Sequence, residues 1–120
     1  MNILITICGR GGSKGVKGKN FKEFLGFPLV FFTISAAELF KQKNKNHHID
    51  ISVNSDSDEL LNIAAKTKVV SVIKRPDYLA QDTSPKVPVI RYSLDESEKE
   101  NNIKYDYIID LDITSPLRTL

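Results

Sequence analysis

"NILITICGRGGSKGVKGKN", residues 2–20, joins two segments of opposite character. Residues 2–8 are short, β-branched and apolar on both faces, the pattern of a strand buried inside a parallel sheet. Residues 9–20 follow at once, with glycines interspersed among Arg10, Lys14, Lys17 and Lys19. Glycine lets backbone N–H groups approach an anion without Cβ obstruction, and the basic side chains add charge-assisted donors. Phosphate is the natural ligand of such a loop. The plain alternative is a surface turn whose cations are merely solvated. The loop matches neither G-x-x-x-x-G-K-[ST] nor G-x-G-x-x-G, which disfavours a P-loop ATPase and a dinucleotide-binding dehydrogenase.

Downstream, strand and helix patterns alternate. Pro28 suits the first turn of a helix through "LVFFTISAAELFKQ", residues 29–42, where Leu29, Phe32, Ala36, Leu39 and Phe40 share a face. A polar turn, "KNKNHH", leads to a strand over residues 49–55, with Ile49, Ile51 and Val53 alternating. Asp56 or Ser57 caps a second helix carrying Leu60, Leu61, Ile63 and Ala64, followed by the strand "KVVSVIK", residues 68–74. Residues 87–102 have helical spacing at Val89, Ile90 and Leu94, and "YDYIIDLD", residues 105–112, is the last strand. This alternation predicts a single α/β domain over residues 1–120: a Rossmann-like open, mostly parallel sheet with helices on both faces. Ligands of such sheets bind outside the carboxyl ends of the strands, where residues 9–20, Asp56, Arg75 and the segment from Asp112 all fall.

Composition limits the possible functions. The 120 residues, 41% hydrophobic and 27% charged, suit one soluble globular domain, and no apolar run approaches a membrane span or a signal peptide's core. A cytoplasmic protein is expected, with no membrane partner. The net charge of +2 is concentrated near the amino terminus rather than spread over a face, which argues against nucleic acid as a partner. The single cysteine, Cys8, has no intramolecular disulfide partner and reads as a small core residue. His47 and His48 lie in a polar connection, too isolated to make a metal site.

Three segments together resemble one enzyme family. "CGRGGSKGVKGKN", residues 8–20, is similar to the nucleotide-binding signature of the CMP-sialic acid synthetases, the acylneuraminate cytidylyltransferases. "RPDYLAQDT", residues 75–83, and "SPLRT", residues 115–119, resemble two further family segments in the same order. The resemblance implies a nucleotide-diphospho-sugar transferase type of fold. It also implies a magnesium-dependent transfer of CMP from CTP to the anomeric hydroxyl of a sialic acid-like nonulosonic acid, releasing pyrophosphate. Within it, Arg10 and Lys19 are expected to contact phosphate and stabilise the leaving group. Ser13, Lys14 and Asn20 would add donors to phosphate or ribose, Arg75 would help bind the nucleotide, and Ser115 and Arg118 would shape the wall. "DITSPLR", residues 112–118, departs from the family, where many relatives carry glutamine at the place of Asp112. A carboxylate accepts from the exocyclic amine of cytosine but cannot donate to the ring carbonyl, so base reading by Asp112 alone is in question. Asp110 and Asp112 point to the same side of a strand and together could hold Mg2+ with water and phosphate; the plainer alternative is that Asp110 pairs with a lysine and Asp112 caps a turn.

The same resemblance implies that the chain is truncated after its nucleotide-binding half, and that the full-length enzyme is a homodimer. Two other functions fit parts of the sequence. A metal-dependent glycosyltransferase would use "DLD", residues 110–112, but leaves the basic loop without a purpose. A non-catalytic nucleotide-binding module would bind CTP and release no pyrophosphate. Within the cytidylyltransferases, an eight-carbon acceptor acid is an alternative, although "SPLRT" favours the nine-carbon branch.

Overall fold

The computed structural model describes residues 1–9, 23–24, 27–76 and 86–111. Strand β1, Asn2–Gly9, is followed by two short strands, β2 (Glu23–Phe24) and β3 (Phe27–Pro28), which pair antiparallel. Helix α1 covers Leu29–Lys43, β4 His48–Ser55, α2 Asp58–Ala65, β5 Ser71–Lys74, α3 Lys86–Asn101 and β6 Tyr107–Leu111. The main sheet has the order β5-β4-β1-β6, and every pairing in it is parallel. β1 is central. It pairs with β4 from Asn2↔His48 to Gly9↔Ser55, and with β6 from Ile3↔Tyr107 to Ile7↔Leu111.

Alternation along the strands sorts their side chains into two layers. Ile3, Ile5 and Ile7 of β1 join Ile49, Ile51 and Val53 of β4 in one apolar cluster with Val30, Ile34 and Ala37 of α1 and Leu60, Leu61 and Ala64 of α2. The opposite face packs on α3 and is more polar: Thr6, Ser52 and Asn54 are buried there, as are Val89, Ser93 and Ser97 of the helix. Serines at the contact let α3 approach the sheet closely.

The expected α/β alternation is present, with local corrections. In α1 the buried positions are Val30, Thr33, Ile34 and Ala37, whereas Leu39, expected inside, is 42% exposed. The first turns of this helix are apolar nearly all round, so periodicity cannot select a face and packing against the sheet does. Pro28 ends a short strand immediately before α1 rather than lying within its first turn. In α3 the inward row is Val89, Ser93 and Ser97, with Ile90 and Leu94 half-buried beside it. Ser57 is the N-cap of α2, its Oγ accepting from the backbone N–H of Leu60 at 3.3 Å. β5 starts three residues later than expected because Lys68 takes a left-handed conformation, φ 61°, in the turn that closes α2. Asn102, φ 55°, ends α3 in the same way, and asparagine tolerates this region better than most residues.

At the amino-terminal end of the sheet, Asp50 accepts hydrogen bonds from Tyr105 and from Asn101, and lies 2.9 Å from His48 Nε2. Burial, and then the hydrogen bond to Asp50, push the Tyr105 phenol well above its ordinary value. The unfolded chain therefore loses this proton first, so the contribution is complete below pH of about 10 and declines as pH rises further. Tyr105→Phe is expected to flatten the alkaline loss of stability in denaturant melts measured between neutral and strongly alkaline pH. Leu60→Ala, at a fully buried contact of α2 with the sheet, is expected to cost roughly 2–5 kcal/mol in urea unfolding.

Candidate active site

The path of the chain through the sheet defines where a ligand can sit. From β1 the chain moves outward to β4 and β5 over one face, then returns across the other face through α3 to place β6 on the opposite side of β1. The order of strands reverses between β1 and β6, and a crevice forms outside their carboxyl ends at such a reversal. Gly9 ends β1 on one side of it and Leu111 ends β6 on the other. In the sequence, residues 10–20 come directly after the first of these strand ends and residues 112–119 directly after the second; both segments lie outside the described residues.

Arg75 is the main described feature of that rim. It is 3% exposed, the only charged side chain among the buried described residues. Its backbone N–H donates to Ser55 O at 2.7 Å, extending the β4–β5 pairing by one bond. Its Nε donates to Asn54 Oδ1 at 2.8 Å, and its Nη2 donates to Gly9 O at 3.3 Å. The guanidinium thus crosses from β5 over the end of β4 to the end of β1. Burying such a cation is costly unless its donors are satisfied, and these acceptors supply that compensation. Asn54 is itself completely buried and donates through Nδ2 to Ser93 Oγ of α3 at 2.7 Å.

Asp110 is the other described candidate. It is half-buried on β6 and accepts from Thr6 Oγ1 at 2.7 Å, across the Thr6↔Asp110 register position. Among the described residues no group of three or more His, Cys, Asp or Glu side chains stands together, so they do not by themselves compose a magnesium site. Arg10, Ser13, Lys14, Lys19, Asn20, Asp112, Ser115 and Arg118 lie outside the described residues.

Other features of the sequence take structural roles. Asp56 presents its backbone carbonyl to Lys74 Nζ at 2.7 Å, and Lys74 also pairs with Asp58 at 3.0 Å on the exposed surface, a contact worth little in stability. His47 lies near the amino terminus, 3.2 Å from Met1 N, and His48 beside Asp50, both at the end of the sheet remote from the crevice. Cys8 is half-buried rather than fully enclosed. A groove of about 570 Å3 runs between α1 and the turn after α2, lined by Phe31, Ile34, Leu39 and Val69 among others. It has no basic lining residue and does not suit a triphosphate.

Sequence reading did not single out Asn54 and Ser93. In the sequence Asn54 is one of the polar residues alternating with Ile49, Ile51 and Val53, a pattern that reads as a solvent-facing side and hides a buried amide. Nothing in the pattern of α3 marks Ser93 as its partner.

Residues 4–117 match the family model described as cytidylyltransferase. The chain is 41% identical over 117 residues to a CMP-N,N'-diacetyllegionaminic acid synthase of Campylobacter jejuni, a match covering 95% of this chain and 46% of that protein. It is 40% identical to the post-translational flagellin modification protein B of Campylobacter coli, over 98% of this chain and 48% of that protein. This chain therefore spans about half the length of these curated relatives. Its fold is that of a solved CMP:2-keto-3-deoxy-manno-octonic acid synthetase complexed with CTP, with TM-score 0.70 at 16% identity over 98% of this chain and 42% of that one. No described helix is long and apolar enough to cross a membrane.

Arg75→Met removes the donors to Asn54 and Gly9 while retaining most of the stem. It is expected to destabilise the fold by about 1–3 kcal/mol in denaturant unfolding, the cost of leaving buried acceptors without partners.

Proposed function

Because the chain belongs to the cytidylyltransferase family, we propose that it is the nucleotide-binding part of an enzyme that transfers CMP from CTP to the anomeric hydroxyl of a nonulosonic acid, with release of pyrophosphate. The observation that carries this reading is the family match over residues 4–117, together with the departure of the basic, glycine-rich residues 10–20 from the central strand at the reversal of strand order. An acid of the diacetyllegionaminic type is the first acceptor to try, because it appears in the name of a relative 41% identical to this chain.

The reaction is attack of a sugar hydroxyl on the α-phosphorus, with the bond to the bridging oxygen of the β-phosphate breaking as the new bond forms. Charge accumulates on the departing pyrophosphate. Cations positioned there before the reaction stabilise that charge without further reorganisation. Arg10 and Lys19 are assigned this role, with Lys14 beside them, and Ser13 and Asn20 as neutral donors to phosphate or ribose. Arg75 is given a part in binding the nucleotide, as are Asp112, Ser115 and Arg118. Magnesium, when bound, neutralises part of the triphosphate charge. Asp110 and Asp112 are the carboxylates of this chain that would hold it.

Calorimetric titration of the chain with CTP, ATP and a UDP-sugar, each with magnesium, tests the reading. CTP is expected to bind best; preference for the UDP-sugar would favour glycosyl transfer through residues 110–112. Arg10→Ala and Lys19→Ala are each expected to weaken CTP binding by about 1.5–3 kcal/mol, the range for hydrogen bonds to charged groups, with unchanged far-UV circular dichroism. Unaltered CTP affinity in both variants would remove the phosphate-binding role of the loop.

A further inference from the structure

Ser93, Asn54 and Arg75 form a hydrogen-bonded series that runs from α3 through β4 to the end of β1. Asn54 Nδ2 donates to Ser93 Oγ at 2.7 Å, which leaves Oδ1 turned toward Arg75 Nε at 2.8 Å, and Arg75 Nη2 reaches Gly9 O at 3.3 Å. Ser93 and Asn54 are completely buried and Arg75 is 3% exposed. An asparagine amide in isolation can turn over and present either its oxygen or its nitrogen. Here the guanidinium N–H, which can only donate, requires the amide oxygen on its side, and Ser93 Oγ, which can accept as well as donate, takes the Nδ2–H on the other.

The geometry points to Asn54 as a positioning residue of the nucleotide site, fixed by Ser93. It holds the Arg75 guanidinium against the carbonyl of Gly9 and so sets the carboxyl end of β1, the point from which the basic segment departs. This rests on the nucleotide-binding reading of that segment. Apolar residues at 54 and 93 would pack the α3 interface equally well, as Val89 does one turn earlier. What they would not supply is an acceptor for Nε at this place.

The experiment compares the chain with Asn54→Leu, Asn54→Asp and Ser93→Ala, following the Arg75 Nε–H and Gly9 amide signals by 15N NMR and CTP affinity by calorimetry. Asn54→Leu keeps the volume and removes the acceptor. It is expected to abolish exchange protection of the Arg75 Nε–H, shift the Gly9 amide and weaken CTP binding roughly tenfold. Asn54→Asp keeps an acceptor for Nε and can accept from Ser93, and is expected to retain the protected Nε–H signal. A protected Nε–H and unshifted Gly9 amide in Asn54→Leu would overturn the assignment, as would displaced signals with unchanged CTP affinity. Should Asn54→Leu not fold, Ser93→Ala decides by the same signals, with reduced Nε–H protection expected and full protection refuting the role of Ser93 in the series. If the unaltered chain binds no CTP, the nucleotide-binding reading fails, and with it the function given to Asn54. Nε–H exchange in the variants then shows whether Asn54 holds Arg75 at all, so the two failures are told apart.

Discussion

β1 is hydrogen-bonded along both edges and covered on both faces, and this double enclosure constrains everything around it. A strand in that position has no solvent face to carry polar residues, which is why Leu4, Ile5 and Ile7 are all essentially inaccessible. The parallel partners on either side require crossover connections, and those connections supply the covering helices. α1 and α2 cover one face, α3 the other. The central strand, its parallel crossovers and its covering helices are therefore linked features rather than independent ones.

That reversal also decides where chemistry can occur. β1 and β6 are neighbours that run parallel, and the order of strands reverses between them, the kind of place at which open α/β sheets take up ligands. The amino-terminal rim differs. There the polar groups satisfy one another: Asp106 holds the backbone of Asn2, and Asp50 gathers Tyr105, Asn101 and His48. At the carboxyl rim a buried cation is instead tied to a backbone carbonyl at the end of the central strand.

The two helical faces differ in a way that serves these ends. The α1 and α2 side is an apolar cluster, which stabilises through area removed from water and fixes no particular hydrogen bond. The α3 side buries Thr6, Ser52, Asn54, Ser93 and Ser97; the Ser52 and Ser97 hydroxyls have no hydrogen-bond partner among the described residues, whereas Thr6, Asn54 and Ser93 are tied in defined directions. Thr6 to Asp110 and Asn54 to Ser93 are products of that directionality. Specific orientation at the rim comes from this polar layer.

The order of strands and helices, the buried character of residues 2–8 and the basic loop after them were determined by the sequence itself, because each depends on local pattern and composition. The family resemblance was legible for the same reason: its segments are contiguous, and residues 4–117 match the cytidylyltransferases. Arg75 was legible as a candidate but not as a buried one. Its burial depends on Gly9, Asn54 and Ser55, which are remote in sequence and meet only when β5 pairs with β4 and β4 with β1. The inward face of α1 likewise needed the tertiary structure, since a helix apolar on most sides carries no preference of its own and the sheet supplies one. Asn54 and Ser93 were invisible beforehand because a hydrogen bond between elements leaves no periodicity in either of them; only packing α3 against β4 gives the amide an orientation and the guanidinium an acceptor.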